Sequence, residues 1–256
     1  MRRSLATLLF LGTSGCQLIS GAGDPLPAAS DAGSADAAQT GIPFVDEVLR
    51  DRPVAFYRFS TVSEGRCLDS SGNGKHVTLS CEFEYPLEPV IVKSVEPTIG
   101  LAGTEPRSCT FNLDESLDLT AGDFTYEMWV RLDGTGPLLS SRAASGTGPG
   151  ILVETGGDET TPTLTFSRHG VGSILGSATI VLRGTAKHVV IVSNAGVPSV
   201  WANGLKAQGA RAASEALGRR SIRVGIAEGA YGPIAIYDRA LPDDRIVAHW
   251  RAGSGN

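Results

Sequence analysis

Residues able to do chemistry are few in this chain and widely spaced. Four His and four Cys stand among 256 residues. Two acids are adjacent, Asp158 and Glu159, between Gly156-Gly157 and Thr160-Thr161-Pro162, a composition that marks a loop. Polar loops on a rigid scaffold are where recognition is placed. Asp158 and Glu159 are therefore candidate ligand-binding residues. In Asp69-Ser70-Ser71-Gly72-Asn73-Gly74, oxygens recur at alternate positions of a turn. A hard cation such as calcium, which takes about six to eight oxygen ligands, would use Asp69 and Asn73 there. The twelfth position from Asp69, where an EF-hand loop carries a bidentate Glu, is Ser80. The alternative is an Asx turn, with Asp69 and Asn73 bonded to their own backbone.

Other chemistries lack their residues. There is no Gly-x-Ser-x-Gly and no His-Glu-x-x-His, and Gly72-Asn73-Gly74-Lys75-His76 has neither the spacing nor the hydroxyl of a phosphate loop. His76, His169, His188 and His249 sit on separate segments, no Cys-x-x-Cys occurs, and no His stands at zinc-ligand spacing from a Cys. The formal charge is −5 and no stretch gathers Lys and Arg into a stripe, which argues against nucleic acid as a partner. Sugar binding asks for aromatic platforms. Of the three Trp, Trp129 and Trp250 suit core or helix packing, whereas Trp201 precedes an Asn203-Gly204 turn and stands either at an exposed hairpin end or against the sandwich face. The Gly- and Thr-rich loops 141–149 and 155–162 would frame a shallow rim, or are plain solvated connections.

The N-terminus supplies an address. Arg2 and Arg3 precede a short apolar run over residues 5–11, too short to span a bilayer, so residues 1–15 read as a signal peptide. Small residues then lead directly into Cys16. That arrangement resembles the lipobox of bacterial lipoproteins, with Thr13 where Leu is usual, and implies lipidation of Cys16 and a protein anchored at the outer membrane or cell surface. Ordinary signal-peptidase cleavage with Cys16 incidental is the alternative. Residues 16–41, rich in Ala, Gly, Ser, Asp and Pro, bury too little to offset their ordering entropy and read as a tether. Cys67, Cys81 and Cys109 remain, an odd number. In an oxidising compartment one disulfide is expected, Cys81 with Cys109 as neighbours on adjacent strands or Cys67 with Cys81 around the Asp69 turn; three buried thiols are the alternative.

Positioning any of these residues falls to residues 42–254. A short helix opens the domain, with Phe44, Val45, Val48 and Leu49 at helical spacing before Pro53. The period then becomes two. Val77, Leu79, Cys81, Phe83 and Tyr85 alternate with polar residues, as do Phe124, Tyr126, Met128 and Val130. Strands are also expected over 54–59, 108–113, 150–154, 163–168, 178–182, 188–193, 199–202, 221–226 and 233–237, with Gly, Asn, Asp and Pro between them. Asn203-Gly204 makes a hairpin, since both positions accept φ > 0, and a helix closes the chain over 243–251. The class is all-β, a sandwich or jelly roll.

Tyr57-Arg58-Phe59 with the Asp69 turn, the strand Asp123-Phe124-Thr125-Tyr126-Glu127-Met128-Trp129-Val130, His188-Val189-Val190 with Val200-Trp201-Ala202-Asn203-Gly204, and Ala235-Ile236-Tyr237-Asp238-Arg239-Ala240-Leu241 before Ile246, His249 and Trp250 follow one another in order. Together they resemble the laminin G-like branch of the concanavalin A-like jelly rolls. The resemblance implies the fold, with short helices at both ends, and packed structural roles for Glu127, His188 and His249. The architecture hosts lectins, adhesion modules, glycan hydrolases and spacers alike. A hydrolase would need paired carboxyls across the bond, and the Glu-x-Asp-x-x-Glu string of one jelly-roll family is missing, Glu115 and Asp118 lacking a third acid. The expected function is a non-catalytic envelope-anchored module that binds a glycan or an extracellular protein. It needs no cofactor, with calcium as the open exception, and touches the membrane only through its lipid. A glycan-active enzyme and a ligand-free spacer are the alternatives.

Overall fold

A computed structural model describes residues 42–255 apart from 64–65, 81–98, 102–109, 114, 118, 120–121, 133, 143–147, 159, 184–185, 212–220 and 226–228. The expectations for residues 1–41, Cys16 included, for Cys81 and Cys109 and for Glu159 lie outside the described residues. In chain order the elements are α1 (Pro43–Arg50), β1 (Ala55–Ser63), β2 (Arg66–Asp69), β3 (Val77–Ser80), β4 (Ile99–Leu101), β5 (Thr110–Leu113), β6 (Phe124–Leu132), β7 (Gly136–Ser140) and β8 (Gly150–Gly156). They continue with β9 (Thr163–His169), β10 (Ile174–Val181), β11 (Ala186–Asn194), β12 (Val197–Ala202), β13 (Leu205–Gln208), β14 (Ile222–Val224), β15 (Gly229–Tyr237) and α2 (Asp243–Ser254).

Two antiparallel sheets form a β-sandwich with a helix at each end of the domain. Sheet A runs β3-β2-β1-β15-β6-β11-β12-β13, with β4 beside part of β15; sheet B runs β10-β9-β8-β7-β14-β5-β3. β3 pairs with β2 in one and β5 in the other, joining them. The period of two decides what each sheet offers its neighbours. Along β6, Phe124, Tyr126, Met128 and Val130 point into the core between the sheets, and the intervening Trp129 joins a second apolar cluster on the far side of sheet A. Alternate residues of β11, β12 and β15 divide likewise, with Val189, Ile191, Val200, Ile234 and Ile236 in the first cluster and Val190, Val192, Trp201, Ala235 and Tyr237 in the second.

That second cluster exists because the helices lie on it. Phe44, Val45 and Val48 of α1 and Ile246 of α2 are buried there, and the Phe44 ring meets Trp129 edge-on at 5.9 Å. Two glycines let the helices come close. A Cβ on Gly253 would run into the Trp129 indole, and one on Gly204 would stand 2.6 Å from Trp250 Cε3. Gly204 also closes the hairpin, since Asn203 and Gly204 take φ of 51° and 76°. Asp243 and Asp244 in the first turn of α2, and Arg251 in its last, complement the helix dipole.

Four strands fall outside those expected, β2, β4, β7 and β13. All are short, β13 is mostly exposed, and Gly136-Pro137 opens β7, so little in their sequence rises above a loop.

Candidate functional site

The outer faces of the two sheets carry the polar groups, in opposite circumstances. On sheet A, Glu127 sits beneath the helices, 1% exposed, with His188 and His249 both at 0%. Register brings the first pair together: Glu127 opposes Val190 and His188 opposes Trp129, so both side chains leave the same face of neighbouring strands. Glu127 Oε1 is 2.6 Å from His188 Nε2, Glu127 Oε2 is 2.9 Å from His249 Nδ1, and the Tyr237 hydroxyl donates to Oε2 at 3.2 Å. The chain of charges continues outward. His249 Nε2 lies 2.9 Å from Asp51 Oδ2, Arg245 donates to Asp51 at 2.8 Å and to Glu47 at 2.6 Å, and Arg50 donates to Glu47 at 2.7 Å. Arg245 and His249 share one helix face at i, i+4.

Both ring nitrogens of His249 face carboxylate oxygens, which only accept, so both carry hydrogen and the ring is an imidazolium. Burial would lower its pKa, but the charge of Glu127 and the hydrogen bond to Asp51 hold it up at about 9. Burial likewise pushes the Glu127 carboxyl up, and the charge of His249 with the His188 hydrogen bond more than reverses this, leaving it well below the usual carboxylate range. Asp51 is lowered in the same way, its desolvation outweighed by His249 and Arg245. The Tyr237 phenol is pushed well up by burial and by Glu127. Charges of alternating sign thus run from β6 to α1 with no opening toward solvent at Glu127. A reacting carboxylate must touch substrate; this one fastens helices to a sheet.

Sheet B has no helix over its outer face among the described residues, though Ser140 and Ser167 in its middle are buried. The rows follow from register. Arg223, Ser140, Leu152, Ser167 and Ser177 stand side by side across β14, β7, β8, β9 and β10, and Glu154, Thr165 and Thr179 form a parallel row. Toward the other end, His169 pairs with Gly150, beside which Arg142 extends from β7; a Cβ at Gly150 would stand 3.1 Å from Arg142 Cγ. Ser167 Oγ lies 2.8 Å from His169 Nε2, Arg142 Nε donates to Gly148 O at 3.2 Å, and the Thr165 and Thr179 hydroxyls are 3.0 Å apart. His169 is lowered, by burial first and by the Arg142 charge second. A nucleophilic hydroxyl needs a base held by a third group. Among the described residues no carboxylate orients His169, so the Ser167–His169 pair supports binding rather than acyl transfer.

The residues singled out from the sequence are scattered. Trp201, offered as a platform, is 4% exposed, because α2 and its Trp250 lie over that part of sheet A; Lys206 Nζ lies 5.3 Å from the ring centroid. It is a core residue of the covered face. Asp158 is exposed in the β8–β9 loop, where its Oδ1 accepts from the amides and hydroxyls of Thr160 and Thr161 at 2.6 to 2.9 Å. Those bonds, Thr160's hydroxyl foremost, hold its pKa down at about 2. At Asp69, Oδ1 accepts from the Phe56 and Ser71 amides, and Oδ2 from the Ser71 hydroxyl and the Lys75 amide, at 2.8 to 3.0 Å. Asn73 donates its amide to Pro53 O and Val54 O. Oxygens already committed to an Asx turn are poor cation ligands. The Cys67 thiol is free and buried, its pKa pushed up to about 12 by desolvation. Sequence reasoning passed over Asp51, Tyr237 and Arg245, which have no local signature, and Arg142, Ser167 and His169. The last pair did carry one: i, i+2 on a strand puts both on one face.

A family model described as the concanavalin A-like lectin/glucanases superfamily matches residues 108–247. No curated protein matches. Among solved structures, the binding domain of botulinum neurotoxin DC in complex with SialylT superposes with a TM-score of 0.59 at 13% identity, over 80% of this chain and 52% of that one. Trypanosoma rangeli sialidase superposes with a TM-score of 0.53 at 12% identity, over 77% of this chain and 32% of that one. The chain spans about half the length of the first and a third of the second, and at such identities the likeness is one of fold.

Proposed function

The chain belongs to the concanavalin A-like lectin/glucanases superfamily, and on that premise we propose that its domain is a non-catalytic module that binds glycans through the uncovered face of sheet B, held at the cell envelope by a lipid on Cys16. One observation carries the reading. Sheet A's outer face is sealed by two helices, whereas sheet B carries hydroxyls, an imidazole and guanidinium groups on or beside β14, β7, β9 and β10, with Ser177 and Thr179 exposed. Such a surface offers the directional donors and acceptors that sugar hydroxyls require. Two structural neighbours are complexes, the toxin domain with SialylT and the sialidase with sialic acid, which agrees with a glycan as the ligand class. The envelope anchor rests on the small residues before Cys16.

A shallow face without an aromatic anchor gives modest affinity, no tighter than about 1 μM per site. The test is a glycan array run with and without EDTA, followed by product analysis of every hit. Hits that survive EDTA without cleavage are expected. Empty arrays overturn the glycan reading, and timed release of cut sugar overturns the non-catalytic one. For the anchor, Cys16→Ser is expected to move the protein from the detergent phase to the aqueous phase; unchanged partitioning overturns lipidation.

A further inference from the structure

We propose that Asn73-Gly74 is a site of spontaneous deamidation, and that the other Asn-Gly pair of the chain, Asn203-Gly204, is protected from it by the fold. Of the five Asn residues only these two precede Gly. The chemistry belongs to the pair. The Gly nitrogen, its proton passed to solvent base, attacks the Asn side-chain carbonyl carbon and closes a succinimide ring, while the Cγ–Nδ2 bond breaks and ammonia leaves. Water then opens the ring at either carbonyl, giving aspartate or, with one extra methylene in the main chain, iso-aspartate. The net reaction exchanges an amide and a water for an acid and ammonia, and nothing is oxidised or reduced. Closure is intramolecular, so its rate depends on whether the two atoms can meet, and Gly leaves that nitrogen unhindered.

The two pairs stand in opposite surroundings. Asn73 and Gly74 are exposed between β2 and β3, and a Cβ on Gly74 would meet nothing within 4 Å. Among the described residues nothing donates to Asn73 Oδ1 and nothing accepts from the Gly74 amide, so the carbonyl and the attacking nitrogen are both open to water. Only Nδ2 is held, donating to Pro53 O at 3.1 Å and to Val54 O at 3.2 Å. Asn203 is half-buried and engaged at both ends of its amide: Oδ1 accepts from the His188 amide at 2.8 Å, and Nδ2 donates to Arg183 O at 3.4 Å. Its neighbour is pinned as well. Gly204 lies against the Trp250 ring, next to the paired Ala202 and Leu205. Turning the Asn203 carboxamide toward the Gly204 nitrogen would break both bonds and move a packed hairpin.

Product at position 73 alters the corner to which those carbonyls belong. A carboxylate cannot donate, so Pro53 O and Val54 O would lose a donor and face a negative charge. Residues 51–54 turn the chain from α1 into β1, and Asp51 among them is the partner of His249 and Arg245. Ageing of an exposed loop is thereby transmitted to the fastening of α1.

The experiment incubates the full chain at mildly alkaline pH, native or in urea, and follows ammonia release and the peptide mass map, with isoaspartyl methyltransferase labelling to separate the two products. In the native protein, conversion at Asn73 is expected to run at least tenfold faster than at Asn203. In urea, where only local sequence acts, the two rates should converge. Asn73→Asp supplies one product directly and should lower the Tm by about 2 to 4 °C, the effect of roughly one lost hydrogen bond in a chain of this length; the aged parent should fall with it. No conversion at Asn73, or equal native rates at the two positions, overturns the site. A tenfold difference that persists in urea overturns the fold as the source of protection. Conversion at Asn73 with an unchanged Tm, in the variant and the aged parent alike, overturns the link to the α1 corner.

Discussion

The outer faces of the two sheets are built from the same alternation and end in opposite states. On sheet A the outward positions hold Trp129, Val190, Trp201 and Tyr237, with Glu127 and His188 among them, and two helices cover all of it. On sheet B the outward rows are mostly Ser, Thr, Arg and His, graded from buried Ser140 and Ser167 through half-buried Arg223 and His169 to exposed Ser177 and Thr179. A buried ionised carboxylate is costly unless its lone pairs are filled and its charge is matched. Glu127 meets both conditions with two imidazoles and a phenol. Polar groups that keep contact with water carry no such requirement. Fastening and recognition have thus been assigned to different faces.

Several substitutions break or sharpen this contrast, and Glu127→Ala should be the most severe. It leaves His249 and His188 buried beside a hole, and a loss of about 3 to 5 kcal/mol is expected in urea unfolding; a loss under about 1 kcal/mol would show that the network fastens nothing. Trp201→Ala should cost about 3 kcal/mol while sparing any glycan binding, because the ring belongs to the covered face. Weakened binding with an unchanged melting temperature would put that ring at the ligand instead. Gly253→Ala drives a methyl into the Trp129 ring, and about 1 to 3 kcal/mol is expected to be lost; an unaltered midpoint would mean that α2 is not seated as closely as described.

Alkaline pH probes the same fastening reversibly. His249 is raised from 6.5 to about 9 by Glu127 and Asp51, so its contribution is whole below about pH 6.5 and fades as the pH climbs through about 9. Glu127 and Asp51 are lowered, and their share is present above the ordinary carboxylate range and disappears on acidification below it. Denaturation midpoints should therefore form a plateau near neutrality and decline at both extremes, with the alkaline decline absent in His249→Gln. A variant that declines identically would detach the effect from this imidazole. The smallest expected effect lies on the open face. Thr179→Ala removes one exposed hydroxyl pairing and should move stability by no more than about 0.5 kcal/mol; a larger loss would argue that this face is covered too.

Much of the fold was legible because alternation survives wherever one side of a strand faces a core. β6, β9 and β11 show it plainly, and the Asn203-Gly204 turn declared its hairpin. Which faces would be roofed was less so. Glu127 on an otherwise apolar strand was visibly odd, but its partners stand 61 and 122 residues away, and only the order of strands brings them together. Trp201 shows the same limit: its position two residues before a turn allows either exposure or burial, and Trp250, far along the chain, decides. Arg142 lay unnoticed at the edge of a Gly-rich loop, since its place near His169 depends on β9 flanking β8.

The place of β15 governs how the chain must come together in time. This strand follows every other described strand in the chain yet lies between β1 and β6, so the centre of sheet A stays vacant until residues 229–237 have emerged. Until then β1 and β6 are open edges, the kind that pair with strangers, and Glu127 has only part of its eventual company. A growing chain therefore has no stable halfway house to rest in. Truncation before residue 229 should yield not a smaller sandwich but a sticky, unfolded polypeptide, and whatever attends this protein during synthesis must keep it apart from its copies until β15 arrives.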